Sequence, residues 1–277
     1  LSGRGLEVLT VGNLGQTKSV TVMPGSVTEA PNITLAARDE ILVEAGSQIH
    51  AQGVQGQTGT ASFEVPDGTV TIEEGALIHA TDNIEIDSYA MEIGGELKTD
   101  NSTLNLVGET IFFVPDDYEE EVAGLAINEA LWEGFSDYEH IGLKSRSDIV
   151  FMESFERLET SGALTLNARG IFRDEETDAV SVVISSTERI TLVGSGVSGD
   201  PESVLDDAGT ITFESAELSV QLGLYDDEKD QMTESRLWFD GFERIHLDAG
   251  RKLVLSGRGT LFADGDLDMT AGSITTA

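Results

Sequence analysis

The sequence contains no cysteine and only 5 prolines among its 277 residues. Without cysteine the chain can form neither disulfide bonds nor thiolate metal sites. The low proline content argues against a proline-rich linker, and aromatic residues make up only 6% of the chain. No apolar run approaches the roughly 18 residues that a membrane-spanning helix requires. Disulfide-rich, linker-like and helical membrane classes are therefore excluded.

Basic residues are also scarce. The chain has 16 Lys and Arg against 51 Asp and Glu, for a net charge of −35. Nucleic-acid binding needs a basic stripe that neutralises phosphates, so a nucleic-acid partner is excluded. The same charge repels anionic membrane surfaces. It predicts a soluble, self-repelling molecule that attracts divalent cations.

The sequence is instead rich in a short apolar–polar–apolar triplet, typical of a strand with one buried face. Successive triplets begin 20 residues apart at Ile84 and Leu104, 21 apart at Ile190 and Ile211, and 22 apart at Ile245 and Leu267. A period near 20 residues without amphipathic helices is typical of a β-solenoid. Further triplets begin at Ile33, Val70 and Leu164. The pattern predicts an all-β fold of stacked parallel coils.

Glycine-centred repeats predict the register of these coils. The segment 44–51 aligns with 73–80, and shorter copies follow at 94–99 and 271–276. Glycine suits a corner because it accepts a positive φ without steric cost. The alignment predicts an inward ladder and an outward column, which are Ile49, Ile78 and Leu97, and His50, His79 and Lys98, respectively.

Insertions interrupt the coils. The 29-residue step from Ile49 to Ile78 exceeds the period by about nine, which predicts a surface loop over 52–60. An acidic loop is predicted over 114–122, then a short strand, then a helix over 128–134 with Asn128 as N-cap and Gly134 as its stop. Three further acidic excursions are predicted at 173–178, 199–207 and 225–234.

These features predict one β-helix segment over 1–277. Regular coils fill 1–113, the acidic loop and short helix fill 114–137, and coils with acidic loop insertions fill 138–277. A Phe/Thr-Glu-Arg repeat at 155–157, 187–189 and 242–244 predicts outward cross-coil ion pairs. The chain begins and ends in mid-pattern, so we expect a piece of a longer protein whose ends are covered by further coils or by head-to-tail copies.

Four stretches carry a family resemblance. They are Gly-Leu-Ala-Ile-Asn-Glu-Ala-Leu at 124–131, the run at 138–151, Gly-Phe-Glu-Arg-Ile-His-Leu-Asp-Ala-Gly at 241–250, and the run at 253–272. Through them the segment 123–277 resembles the filamentous haemagglutinin family of bacterial exoproteins exported by two-partner secretion. The resemblance implies a right-handed parallel β-helix that serves as an adhesin, fibre or toxin-delivery stalk. The secretion and toxin domains of such proteins are not represented in these residues.

Two motifs raise the possibility of an enzyme. Residues 194–199 fit G-x-G-x-x-G after a predicted strand, but a dinucleotide-binding site needs a helix immediately afterwards. The segment that follows is short and acidic, so a coil corner is the favoured interpretation. Asp206-Asp207 is the nearest acidic pair for acid–base chemistry of the kind polysaccharide-degrading β-helices use. No His-Gly or Arg-x-Lys accompanies it. A solvated turn is the favoured interpretation.

Metal and modification sites have only compositional support. His50 and His79 fall on adjacent predicted coils, where an exposed pair is favoured over a metal site. His140 and His246 lack ligand spacing. The acidic segments 116–121 and 226–230 offer carboxylates to calcium but match no calcium-binding loop. Asn32 and Asn101 begin glycosylation sequons, for which an unmodified asparagine is favoured.

The predicted function is therefore structural. We expect a non-enzymatic segment of a secreted, cell-surface-associated fibre or adhesin that mediates attachment through surface ligands or glycans. The alternative is a carbohydrate-active β-helix enzyme, which would show a cleft with converging carboxylates. No catalytic, cofactor-binding or metal-binding residue is assigned, and calcium stays an alternative for the acidic loops.

Overall fold

The computed structural model describes the chain apart from a few short stretches, which are residues 1–6, 54–57, 101–102, 119–121, 175–176, 178, 197–207, 224, 227–230 and 233. The described part is mostly strand with one short helix, and nearly all strand pairs are parallel. This confirms the predicted all-β parallel architecture. The chain divides into two compact units. The first comprises Leu1–Glu109, Glu121–Ala126 and Tyr138–His140, and the second Thr110–Glu120, Ile127–Asp137 and Ile141–Ala277.

Strands up to residue 108 are β1 (Val8–Gly12), β2 (Ser19–Val22), β3 (Val27–Ala30), β4 (Asn32–Ala36), β5 (Glu40–Val43), β6 (Gln48–Ala51), β7 (Thr60–Ile72), β8 (Leu77–Ala80), β9 (Asn83–Ile93), β10 (Glu96–Thr99) and β11 (Thr103–Gly108). They form three parallel ladders. Ladder A contains β1, β4, β11 and the first parts of β7 and β9. Ladder B contains β2, β5 and the later parts of β7 and β9. Ladder C contains β3, β6, β8 and β10.

The predicted register of ladder C is confirmed. Ile49 lies opposite Ile78, and Ile78 opposite Leu97. Their exposed fractions are 0%, 0% and 8%, so the column is buried. His50 and His79 are register partners on the opposite face, followed by Lys98. The alternation of inward and outward residues therefore follows the strand period of two.

Positive-φ glycines form the corners that lead into ladder C. Gly25, Gly46 and Gly75 have φ values of 72°, 76° and 84°. The Gly46 N–H donates to the Gly75 carbonyl at 3.0 Å, so the corners stack as the strands do. The expected third copy differs, because neither Gly94 nor Gly95 has a positive φ. A Cβ at Gly95 would lie 2.6 Å from the Ile72 side chain, so close approach explains that glycine.

The remaining strands are β12 (Ile111–Phe113), β13 (Leu125–Ile127), β14 (His140–Ser145), β15 (Asp148–Phe151), β16 (Phe155–Thr160), β17 (Ala163–Ala168), β18 (Gly170–Arg173), β19 (Val180–Gly194), β20 (Gly209–Leu222), β21 (Tyr225–Asp226), β22 (Gln231–Met232), β23 (Ser235–Asp240), β24 (Arg244–Gly257), β25 (Gly259–Ala263) and β26 (Asp266–Thr276). Ladder D contains β12, β15, β18, β23 and β25. Ladder E contains β16 and the first parts of β19, β20, β24 and β26. Ladder F contains β17 and the later parts of those four strands.

One predicted stacking step is wrong. Leu104 lies opposite Ile84, and Leu267 opposite Ile245, as their spacing predicts. Ile190, however, lies opposite Leu218 in ladder F, whereas Ile211 lies opposite Val182 and Ile245 in ladder E. Each long strand of the second unit carries two triplets. A spacing of 21 residues therefore joined triplets of different ladders.

Register shifts bend the long strands of the second unit. They fall between Ser186 and Arg189, between Ser215 and Glu217, and between Ala249 and Lys252. Small buried residues stack at the bend, where Ser186 faces Ser215 and Ser215 faces Ala249. The Ser186 hydroxyl donates to the Gly162 carbonyl at 2.6 Å. Such β-bulges sharpen the local twist. In β24 and β26 the bulge contains Gly250 and Gly272, and neither glycine has a positive φ.

The single helix, α1, spans Glu129–Phe135 and confirms the predicted helix closely. The Asn128 side chain caps it by accepting a hydrogen bond from the Leu131 N–H at 2.9 Å. Gly134 is not the stop, since it lies inside the helix and Ser136 is the C-cap. Within the described residues, no helix is long and apolar enough to cross a membrane.

The core of the second unit contains an aromatic cluster. Phe113 and Phe151, partners in ladder D, stack with ring centroids 4.6 Å apart and planes 6° from parallel. Phe155 packs edge-on against both rings. The ring centroid of Trp132, in α1, lies 5.9 Å from that of Phe113. The helix is therefore held by the same apolar contacts that hold the strands together.

The insertions fall between ladder strands. Residues 52–53 and 58–59 are not strand, so the described part of the predicted 52–60 loop is loop except for Thr60, which begins β7. The described part of the 114–122 loop likewise contains no strand. The excursion at 225–234 differs from expectation, because it contains the antiparallel pair β21–β22. The predicted excursion at 199–207 lies outside the described residues.

Candidate functional site

A groove in the second unit lies beside α1 and β16. Its volume is about 370 Å³. All of its lining residues except the tryptophan have polar or charged side chains, and they are Glu129, Trp132, Glu133, Ser136, Asp137, Arg157, Glu159, Ser161 and Thr187. One wall is the helix and its C-terminal turn, and the other is the outer face of ladder E with its neighbouring turns.

The groove follows from how α1 docks. Trp132 and Phe135 are buried, so they fix the rotation of the helix. The Trp132 indole N–H donates to the Glu159 carbonyl at 3.1 Å, which ties the helix to β16. Glu129 and Glu133 are four residues apart and therefore share a helix face. That face borders the groove.

Carboxylates dominate the charge of the groove. Among the described residues, Glu129, Glu133, Asp137 and Glu159 line it, against one cation, that of Arg157. Arg157 is itself ion-paired with Glu214, so little of its charge is left for a ligand. This pair confirms that Arg157 faces outward in a cross-coil ion pair. The partner residue, Glu214, does not belong to the Phe/Thr-Glu-Arg repeat, and the sequence did not predict this pairing.

A second acidic group lies around Glu153, close to the N-terminal turn of α1. Burial raises the pKa of the Glu153 carboxyl, and the charges of Asp116, Asp117 and Glu129 raise the pKa further. Asp116 and Asp117 belong to the predicted calcium segment, whose residues 119–121 lie outside the described part. Among the described residues, no three His, Asp or Glu side chains are arranged to hold a metal ion.

The histidine pair of ladder C is the sequence-predicted constellation that the structure brings together most closely. His50 and His79 are register partners, with ring centroids 6.0 Å apart and planes at 88°. His79 Nε2 lies 2.9 Å from an Asp100 carboxylate oxygen, and His50 Nε2 lies 3.0 Å from the Gln48 amide oxygen. Glu29 is the next residue in the same outward column.

The remaining ring nitrogens complete this geometry. His79 Nδ1 lies 3.4 Å from the Gln52 amide nitrogen, which is only a donor. His50 Nδ1 is buried and has no hydrogen-bond partner in the described part of the chain. His79 has a relative side-chain exposure of 21%, so the pair is partly accessible. By contrast, His246 Nδ1 lies 3.5 Å from an Asp268 carboxylate oxygen. Its register partner on the other side, in ladder E, is Thr212.

The other predicted positions do not form a site. Gly194 ends β19, and Gly196 pairs with Arg236 through two backbone hydrogen bonds, so both glycines serve strand pairing. Residues 197–199 and the pair Asp206-Asp207 lie outside the described residues. So does most of the 226–230 segment. Asn32 lies in β4, where its amide donates to the Glu7 carbonyl at 3.3 Å, and Asn101 lies outside the described part.

Sequence reasoning missed the groove and the buried Arg173. The Arg173 guanidinium donates to the Gly241 carbonyl at 2.9 Å, although 68 residues separate the two. The groove likewise depends on α1 docking against β16. The sequence spacing predicts neither the contact of Arg173 with Gly241 nor that of α1 with β16. Insertions of unequal length separate neighbouring strands of a ladder in this unit.

Comparison with known proteins does not assign the chain to a family. The chain matches no protein-family model, no curated protein and no solved structure.

Proposed function

We propose that this chain is a structural segment of a secreted, cell-surface-associated bacterial fibre or adhesin. In this proposal its coils wind as a right-handed parallel β-helix. The observation that carries the proposal is the registered stacking of parallel strands, with continuous buried columns in both units. Crossover connections between parallel strands are right-handed in about 98% of cases, which supports the proposed hand.

Stacking gives such a segment its mechanical role. Each strand satisfies the backbone N–H and C=O groups of its neighbours, and each apolar column excludes water from those bonds. A polypeptide built this way resists proteolysis because cleavage requires several coils to open together. The outward columns and inserted loops then display the chemistry that a surface ligand or glycan recognises.

Further coils or head-to-tail copies are the proposed neighbours along the fibre. The large apolar side chains that are exposed lie mainly on the outermost strands, where Val8, Val27 and Ile274 are 54%, 57% and 55% exposed. Another coil laid over these strands would cover the side chains and pair the free edges.

An attachment assay tests the proposed function. Beads coated with the purified chain are incubated with a panel of cells and immobilised glycans, and soluble chain is added as competitor. We expect saturable attachment that soluble chain abolishes and that heat-denatured chain does not support. Attachment equal to that of beads coated with an unrelated acidic protein would contradict the proposal.

The groove beside α1 favours a second candidate, a polysaccharide-degrading enzyme. Glu133, Asp137 and Glu159 line one concave surface, and glycoside hydrolysis uses two carboxylates that flank the scissile bond. We expect no release of reducing or unsaturated ends from acidic or neutral polysaccharides. Release that Glu159→Gln abolishes and Glu188→Gln leaves unchanged would replace the fibre proposal with this one.

A further inference from the structure

We propose that His50 and His79 form a two-imidazole binding site for a divalent transition metal, Zn²⁺ or Cu²⁺. The site lies on the outward face of ladder C in the first unit. It is independent of the attachment function proposed above. Imidazole nitrogen suits zinc and copper, whereas calcium and magnesium prefer oxygen ligands.

Hydrogen bonds fix the tautomer of both rings. The Gln48 amide oxygen and the Asp100 carboxylate only accept, so the Nε2 atoms that they contact at 3.0 and 2.9 Å carry the protons. The Gln52 amide nitrogen only donates, so His79 Nδ1 is an acceptor. Each ring therefore keeps a lone pair on Nδ1. A neutral imidazole in this state is ready to ligate a metal.

The partners of the Nε2 atoms are those of a metal site. A metal-ligating histidine usually donates its other N–H to a carboxylate or an amide or backbone carbonyl, which orients the ring and raises its basicity. Asp100 and Gln48 supply one such acceptor to each ring. The arrangement recurs on two adjacent strands in matching register. Neither Nδ1 is committed to a strong hydrogen bond that a metal would have to break.

The separation of the rings also fits. With a Zn–N distance of about 2.0 Å, two imidazoles on a tetrahedral zinc have ring centroids about 5 Å apart. The observed centroid distance is 6.0 Å. The rings would have to approach by about 1 Å to share a metal, and the metal would displace the exposed Gln52 amide from its long contact at 3.4 Å. The acidic surface, with Glu29 next in the column, attracts the cation.

Two protein ligands leave the other coordination positions to water. This agrees with the described residues, which offer no third His, Asp or Glu ligand arranged around the pair. A site of this kind binds reversibly and stays open. It therefore suits an exchangeable surface metal, or a metal shared with a ligand of a second molecule, better than a closed structural zinc.

Calorimetric titration of the full chain with ZnCl₂ tests the proposal. We expect one saturable site, at least about tenfold weaker in either His50→Asn or His79→Asn, because each variant removes one ligand. Asp100→Asn, which loses only an orienting partner, should weaken binding by about tenfold. His246→Asn is the matched control, since His246 also faces an aspartate but has no histidine neighbour. Its affinity should equal that of the unchanged chain.

Two outcomes would overturn the proposal. One is the absence of saturable zinc binding by the folded chain. The other is binding that the His50 and His79 variants retain, or that an equal concentration of Mg²⁺ reproduces, since this would locate zinc on diffuse carboxylates. ¹⁵N NMR of the imidazoles gives a check that does not depend on affinity. Zinc should shift the Nδ1 resonances of both histidines and leave the Nε2 atoms protonated.

Discussion

In the first unit the chain enters β3, β6 and β8 of ladder C through positive-φ glycine corners, and only β7 and β9 continue from ladder A into ladder B through a register shift. In the second unit β19, β20, β24 and β26 all pass from ladder E to ladder F through bulges. The corner at Gly75 has a φ of 84° and open space around it. The bend at Ser186 has a buried hydroxyl that donates to the carbonyl of Gly162. Both devices turn the chain without interrupting the parallel ladder.

The difference lies in where each turn is stabilised. A positive φ is a local backbone property, so a glycine corner needs no side-chain partner, and neighbouring corners are joined by backbone hydrogen bonds such as that from Gly46 to Gly75. At the Ser186 bulge the hydroxyl donates to a carbonyl 24 residues away, whereas the Ser215 hydroxyl donates to Glu217 of its own strand. The bend at Ser186 therefore depends on a side-chain contact with another part of the chain, which a glycine corner does not require.

The largest expected effect is at the shared feature, the buried column. Ile78→Asp places a charge between Ile49 and Leu97, where Ile78 is fully buried. We expect the free energy of unfolding to fall by more than about 4 kcal/mol in chemical denaturation. The neighbouring His79→Asn, on the outward face, should change it by less than about 1 kcal/mol. Equal losses would mean that the inward and outward residues are exchanged.

A bulge in the second unit should be sensitive to loss of one hydroxyl. Ser186→Ala leaves the buried Gly162 carbonyl without its side-chain donor. We expect a loss of about 1–3 kcal/mol in the free energy of unfolding. Ser181→Ala, on the exposed face of the same strand, serves as control and should cost less than about 0.5 kcal/mol. If Ser186→Ala lowers the free energy of unfolding by no more than Ser181→Ala does, the Ser186 hydroxyl does not stabilise the bend.

A glycine corner in the first unit should be sensitive to any side chain. Gly75→Ala forces alanine to a positive φ, although its Cβ would meet nothing closer than 3.9 Å. We expect a loss of about 1–2 kcal/mol from backbone strain alone. Gly134→Ala, inside α1 with open space around it, should instead stabilise the protein by up to about 1 kcal/mol. Effects of the same sign would contradict the corner assignment.

The smallest expected effect concerns Glu153 in the second unit. Its pKa is raised by burial and by neighbouring carboxylates, so the folded state binds the proton more tightly than the unfolded state does. Ionised Glu153 therefore costs stability at neutral pH, and this cost disappears as the pH falls below the ordinary range of a glutamate. Glu153→Gln should raise the melting temperature slightly at neutral pH, more than Glu188→Gln does. The difference should vanish in acid.

The sequence predicted the fold through features that are local. The alternation of apolar residues predicted the strands, and the glycine copies at 46 and 75 predicted the register of ladder C. Asn128 predicted the helix start. The ladder of Ile190 was assigned wrongly, because each long strand contributes one triplet to ladder E and one to ladder F. The spacing of two triplets alone does not show whether they stack in one ladder or lie in two different ladders.

The candidate sites were predictable only where both partners lie in a regular region. His50 and His79 came together because the register of ladder C follows from the glycine repeat. The Asp100 and Gln48 contacts, which fix their tautomers, depend on side-chain rotamers that no spacing encodes. The groove required α1 to dock on β16 through Trp132, and nothing in the sequence relates that tryptophan to Glu159.

Engineered disulfides test the stacking register most directly, because the chain contains no cysteine of its own. Facing residues of paired strands lie about 5 Å apart, within the range that a disulfide spans, whereas residues two strands apart do not. Thr191 faces Ser219 in the structure, while the 21-residue period would place it opposite Thr212. Cysteine pairs at 191/219 and 191/212 therefore separate the two registers under mild oxidation.

We expect rapid, nearly complete disulfide formation in the variant Thr191→Cys with Ser219→Cys. We expect none in Thr191→Cys with Thr212→Cys, measured by free-thiol titration and by electrophoretic mobility. In the first unit, His50→Cys with His79→Cys should form the bond, and His50→Cys with Lys98→Cys should not, because β8 separates the latter pair. Bond formation in the 191/212 pair, with free thiols in the 191/219 pair, would contradict the stacking described for the second unit.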